Sequence, residues 1–171
     1  METKDGQYKV LTTRPQLDNK AEIESILKNA PRNEQGQLLA PNGKVSKLTE
    51  RQYAQVRTKA FKEWFGDWIN DSENASKVID EETGEPLVVY HGTPEYFTTF
   101  DISHFGKTDN GSMGKGFYFS SDTRLAKKYG NIMHVFLNLK NPIDANNQLE
   151  AFVFGSPSIQ DVYKRMDNMV A

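Results

Sequence analysis

The sequence predicts an α+β fold, with helical material first and a mostly antiparallel sheet after it. Three observations carry that expectation. Residues 49–69 place apolar side chains at three- and four-residue steps. After Pro86 the apolar residues gather instead in short β-rich runs. Glycine, proline, asparagine and aspartate punctuate the chain between these runs.

Residues 1–47 read as a polar N-terminal arm, with turn formers at Pro15, Pro31, Gly36 and the run Pro41, Asn42, Gly43. Within it, residues 21–29 carry Ile23, Ile26 and Leu27 at helical spacing, and Pro31 ends that helix. A hairpin-like turn is expected around residues 41–43. The alternative for this arm is a linker remnant. Residues 48–171 are read as the main domain, opening with a single helix over 49–69. Thr49 and Gln52 have the capping-box spacing. Tyr53, Val56, Ala60, Phe61, Trp64, Phe65 and Trp68 then form one aromatic face, with charged and polar residues between them. Such a face packs on a sheet more readily than it holds a ligand.

A polar connection spans residues 70–86. Strands are expected at 87–91, 116–120, 132–139 and 150–154, and a short helix at 122–129 is capped by Ser121 or Asp122 and stopped by Gly130. Residues 107–115 are a loop of Gly, Ser, Asn and Asp. A further helix is expected near the C-terminus, carrying Asp161 and Asp167.

Composition narrows the chemistry. With 171 residues the chain fits one main domain, and it holds 0 cysteines, so disulfides, thiolate metal sites and a cysteine nucleophile are excluded. The 3 histidines, His91, His104 and His134, are far apart, which disfavours a multi-histidine metal centre. A net charge of -2 gives no generic nucleic-acid-binding surface. Mean hydropathy is -0.68, and no apolar run approaches the ~20 residues of a membrane span. Without a signal-peptide core at its start the chain is expected in the cytoplasm, of a bacterium or of a phage-infected host, with export by a non-classical route left open.

Taken singly, the residues that could carry chemistry are modest. His91 follows a β-rich run and precedes Gly92 and Thr93. A histidine there can hydrogen-bond a ligand hydroxyl while the bare glycine backbone is approached closely, or it can be an ordinary strand-end histidine. Residues 114–116 are Gly-Lys-Gly entering a strand, which is neither a phosphate loop nor a dinucleotide fingerprint. Tyr118 and Tyr129 can sandwich a planar ring or serve as core aromatics.

Their order is more telling. Val-Val-Tyr-His-Gly-Thr at 88–93, Gly-Lys-Gly-Phe-Tyr-Phe-Ser at 114–120 and Ala-Lys-Lys-Tyr-Gly at 126–130 resemble the diphtheria-toxin-like, His-Tyr-Glu branch of ADP-ribosyltransferases, which includes the poly(ADP-ribose) polymerases. Tyr129 follows Tyr118 by the eleven residues that branch shows. The chain resembles more closely the ADP-ribosyltransferase-like domains of phage polyvalent proteins, through Phe-Lys-Glu-Trp-Phe-Gly-Asp-Trp at 61–68 and Val-Phe-Leu-Asn-Leu-Lys-Asn-Pro at 135–142. The resemblance covers about 48–142, and more weakly 143–162.

The resemblance implies a split β-sandwich with the N-terminal helices on one flank, and NAD as the donor substrate with no metal. His91 would bond a ribose hydroxyl, Gly92 the nicotinamide carboxamide, and Tyr118 and Tyr129 would stack on the nicotinamide ring. Thr93 and Ser120 would add polar contacts, and Gly116 belongs to the same donor-binding set. The catalytic residues would be His91, Tyr118 and a third-motif glutamate, for which Glu150 is the match, opening an Ala-Phe-Val-Phe run. Here the segment from Pro142 to Glu150 is short, Ala151 replaces an aromatic and Ala126 stands where the polymerases have a serine. The alternatives are Glu150 after a loop deletion, or a glutamate beyond this chain, with Asp161 and Asp167 as weaker carboxylate candidates.

Two functions follow from the resemblance. One is an NAD-dependent mono-ADP-ribosyltransferase or NAD glycohydrolase, whose acceptor is a protein, with a nucleic acid or a small molecule as alternatives. The other is an inactive fold kept as a binding module of a phage or mobile-element protein. The aromatic helix would brace the sheet or cover the donor pocket. No membrane partner is implied. Lys107 and Lys115 would meet the pyrophosphate or remain solvated.

Overall fold

The computed structural model describes residues 7–9, 20–101 and 116–142. In chain order the elements are β1 (Gln7–Lys9), α1 (Lys20–Lys28), α2 (Glu50–Gln55), α3 (Lys59–Phe65), β2 (Val89–Thr93), β3 (Thr99–Asp101), α4 (Thr123–Lys127) and β4 (Asn131–Val135). The strands form two antiparallel pairs, β1 with β3 and β2 with β4. The architecture is mixed helix and antiparallel strand.

Between α1 and α2 the chain makes two tight turns. Arg32 bridges to Leu38 and Leu39 to Val45, with Gly43 closing the second turn back on the Ala40 carbonyl. Leu38 and Ala40 are buried, and the Tyr53 hydroxyl donates to the Leu39 carbonyl at 3.0 Å.

The single helix expected over 49–69 is two helices. The capping box forms: Thr49 Oγ1 accepts from the Gln52 amide and Gln52 Oε1 from the Thr49 amide. The first helix stops because Thr58 adopts an extended backbone and caps the second, its Oγ1 donating to the Gln55 carbonyl and accepting from the Phe61 amide. Glu22 of α1 accepts from the Lys59 amide, adding an acidic group to the same N-terminus. The second helix ends at Gly66, whose φ of 99° is natural for glycine. Trp68 therefore lies past the helix and folds inward, where its Nε1 donates to the Val56 carbonyl at 2.8 Å, a group freed by the break. Apolar periodicity runs through the break because these side chains share one core although their backbone does not share one helix.

That core contains Val56, Phe61, Phe65, Trp68, Ala75 and Phe136. A second cluster contains Val89, Phe100, Met133 and Val135, with Phe97, Phe117 and Phe119 against it. The β2–β4 pair lies between the two. Strand alternation sends Val88 and Phe136 to the first cluster and Val89, Met133, Val135 and Leu137 to the second. Each fully buried side chain of this size contributes about 1.5–3 kcal/mol relative to exposure.

The connection at 70–86 is polar yet partly interior. Glu85 is 1 % exposed. Its carboxylate accepts from Arg57 Nη2 at 2.6 Å and from Ser46 Oγ at 2.5 Å. The Arg57 guanidinium lies 3.3 Å from the centre of the Tyr53 ring. This pair joins three segments that contain no regular pairing with one another.

The strands also differ from expectation. The first ladder strand is 89–93 rather than 87–91, because Leu87 and Val88 lead into it while the pairing with β4 continues to Thr93. The last described ladder covers 131–135. Residues 136–139 continue without a strand partner and are held by Ser76, whose Oγ donates to the Leu137 carbonyl at 2.8 Å. The expected strand at 116–120 forms a single bridge, Ser120 to Tyr90. The expected strand at 150–154 and the C-terminal helix lie outside the described residues. The second two-stranded pair and the absence of a 116–120 ladder leave the split sandwich an expectation of the resemblance alone.

Candidate functional site

The site grows from one edge of β2. Tyr90 and Ser120 exchange backbone hydrogen bonds, 2.8 Å from the Tyr90 amide and 3.0 Å from the Ser120 amide. On its other side Tyr90 faces His134 of β4 as a non-hydrogen-bonded pair. Two residues on, alternation turns the N–H and C=O of Gly92 the same way, off β4 and towards the 116–120 segment. Continued antiparallel pairing would set Gly92 against Tyr118. The segments separate instead, and the His91 imidazole takes up the Tyr118 carbonyl, Nδ1 to oxygen 2.8 Å. This side-chain bond replaces the next rung of the ladder.

A carbonyl only accepts, so Nδ1 is the protonated nitrogen and Nε2 carries the lone pair. Burial lowers the His91 pKa, against the upward pull of the Tyr118 carbonyl, which keeps the ring neutral. The ring packs against Phe100 at 5.0 Å and 80°, Phe97 at 5.8 Å and 73°, and Phe119 at 5.4 Å and 47°.

The opposite face of β2 carries α4. Asp122 caps it, accepting from the Arg124 amide at 2.8 Å, and Ser120 Oγ accepts from the Asp122 amide at 2.9 Å. The helix is Thr123–Lys127, shorter than the expected 122–129 because Asp122 is the cap and residues 128–129 form a closing turn. Ala126 is buried against Gly92, and a Cβ on Gly92 would overlap the Ala126 carbonyl oxygen and lie 2.9 Å from Tyr129 Cβ. The lack of a side chain at 92 thus lets α4 sit directly on the strand, with Tyr129 beside it.

Five of the anticipated residues therefore share this edge: His91, Gly92, Tyr118, Ser120 and Tyr129. Both tyrosines present area to solvent, 42 % for Tyr118 and 48 % for Tyr129. Thr93 is buried, and its hydroxyl donates to the Glu95 carbonyl at 2.8 Å, closing a turn after β2. Ser120 uses its hydroxyl to set the start of α4. Gly116 opens the described segment, and a Cβ there would meet nothing within 4 Å. Glu150 lies outside the described residues, as do Asp161, Asp167 and the loop with Lys107 and Lys115.

The residues that sequence reasoning passed over are the phenylalanines around the imidazole and the main-chain carbonyl of Tyr118. Their signal was present in the alternation Phe117, Tyr118, Phe119, which sends two rings inward and one outward. Among the described residues no cluster of three His, Cys, Asp or Glu is placed to hold a metal ion, and no described helix is long and apolar enough to cross a membrane.

Comparison with protein families matches residues 80–170, more than half of the chain, to the family described as ADP-ribosyltransferase in polyvalent proteins. Comparisons with curated proteins and with solved structures give no match. The matched segment begins just before Glu85 and contains every residue of the site. The chain belongs to the ADP-ribosyltransferase family of polyvalent proteins.

Proposed function

We propose that the protein cleaves the nicotinamide–ribose bond of NAD and transfers ADP-ribose to an acceptor, or to water. The observation that carries this reading is the His91–Tyr118 bond, which parts two strands beside the Gly92 backbone and the exposed Tyr129 ring.

The residues present suit such a donor. The carboxamide of nicotinamide needs one donor and one acceptor on the same side, which is what the Gly92 N–H and C=O offer at the strand edge. The planar ring suits the faces of Tyr118 and Tyr129. Nε2 of a neutral His91 accepts a hydrogen bond from a ribose hydroxyl, drawing electron density onto the sugar. In the reaction the bond from the anomeric carbon to nitrogen breaks and its electron pair leaves with nicotinamide, which departs neutral and needs no general acid. The sugar carbon becomes oxocarbenium-like, as in glycoside cleavage. A nucleophile on the acceptor then bonds to that carbon and gives up its proton. Holding ring and ribose in one reactive pose supplies the rate. A carboxylate is required to stabilise the positive sugar, and Glu150 is assigned that role from its sequence context.

The test is nicotinamide release from labelled NAD by the purified protein. Wild type releases nicotinamide, and His91→Ala and Glu150→Gln each reduce the rate by about 100-fold or more. Release that is unchanged in Glu150→Gln removes that residue from the mechanism. A folded wild-type protein that releases none returns the chain to the role of a binding module.

A further inference from the structure

We propose that Phe100 is a positioning residue for His91, setting the imidazole so that Nδ1 stays on the Tyr118 carbonyl and Nε2 is offered as an acceptor to the donor ribose. The role assigned to Nε2 rests on the NAD reading; the geometry does not.

Phe100 is 6 % exposed and sits at the centre of β3. Its partner in β1 is Tyr8, so its backbone is held by a strand from the N-terminal arm. Its ring touches His91 at 5.0 Å and, on other sides, Phe97 at 4.8 Å, Phe117 at 4.6 Å and Phe119 at 5.4 Å. Phe97 and Phe119 also touch His91. Phe100 is therefore common to every aromatic contact that confines the imidazole within this cluster. Phe119 immediately follows Tyr118, so the same ring fixes both partners of the Nδ1 bond.

The consequence is chemical. A histidine loose at a strand end samples both tautomers and turns about its side-chain bonds. If Nε2 bears the proton, the ring becomes a donor to the ribose and withdraws electron density at the step where the sugar turns positive. If Nδ1 bears it, the ring accepts. Walling the imidazole with apolar rings, Phe97 and Phe100 edge-on and Phe119 tilted, leaves the Tyr118 carbonyl as the polar partner of its inner nitrogen, which selects the second state.

The test reads the tautomer of His91 by two-bond proton–nitrogen correlation in protein labelled at histidine nitrogen, without NAD. Wild type shows the Nδ1-protonated ring at neutral pH, and Phe100→Leu shows mixed tautomers. Val135→Ala serves as the control for core loosening, because Val135 is buried in the same cluster but pairs with Val89. It keeps the wild-type signature. In NAD cleavage Phe100→Leu lowers kcat by about tenfold or more with a smaller change in KM, as expected for lost orientation. An Nε2-protonated wild type overturns the proposal, as does an unaltered tautomer in Phe100→Leu or an equal disturbance in Val135→Ala. Because the tautomer is read without NAD, a protein that cleaves no NAD fails the functional reading separately.

Discussion

Gly92 and Ala126 meet backbone to backbone: a Cβ on residue 92 would overlap the Ala126 carbonyl oxygen. Through this contact a strand and a five-residue helix, too short to persist alone, are locked together. Tyr129 is positioned by the same contact. Gly92→Ala should therefore lower stability by about 1–3 kcal/mol through overpacking. It should also weaken NAD binding more than its stability loss explains, since α4 must move. Urea denaturation and calorimetric NAD titration of the same variant check both.

His91 gives a pH dependence with a defined sign. Unfolded, it titrates near the ordinary value of about 6.5. Folded, burial holds it lower, against the opposing Tyr118 carbonyl. Between the two values the unfolded state binds more protons, so stability rises with pH through that window. The contribution is complete above the ordinary histidine value and is lost as pH falls through the folded one. Nitrogen-detected titration of His91 should show the depressed value, and nicotinamide release should decline on the acid side with that same midpoint.

The buried Arg57–Glu85 pair should be sensitive to loss of one partner. Arg57→Ala leaves a carboxylate that is 1 % exposed with Ser46 as its remaining hydrogen-bond donor among the described residues. Breaking such a pair costs about 3–5 kcal/mol. The double variant Arg57→Ala with Glu85→Ala should recover part of that loss. A double-mutant cycle by chemical denaturation measures the coupling.

Thr58 should matter out of proportion to its size. Thr58→Val keeps the shape but removes the hydroxyl that serves the Gln55 carbonyl and the Phe61 amide. The Gln55 carbonyl keeps the Thr58 amide, but the buried Phe61 amide loses its acceptor, which should cost about 1–3 kcal/mol. Thermal denaturation against wild type reads it directly.

Much of this was legible in the residues themselves. The capping box at Thr49 and Gln52 declared itself by spacing, and the β-rich character after Pro86 held. His91, Gly92, Tyr118 and Tyr129 were singled out by motif spacing, and the fold brings them to one edge. The helix break was not legible. A threonine such as Thr58 favours a helix start but is also tolerated inside a helix, and the aromatic period of 53–68 crosses the break undisturbed. The fate of 116–120 was also hidden. Ser120 keeps its backbone pairing with Tyr90, but at Tyr118 a side chain, His91 Nδ1, takes the carbonyl in place of a ladder partner. Glu85 lies in a stretch that reads only as a polar connection, and nothing local announces that Arg57, 28 residues earlier, will pair with it in the interior.

The most direct test of the central claim is a calorimetric titration of NAD into the folded protein. Wild type is expected to bind saturably, with affinity weakened by about tenfold or more in Tyr118→Ala, which removes one stacking face. A folded wild-type protein that gives no binding heat, and no shift in melting temperature with NAD, would contradict that claim.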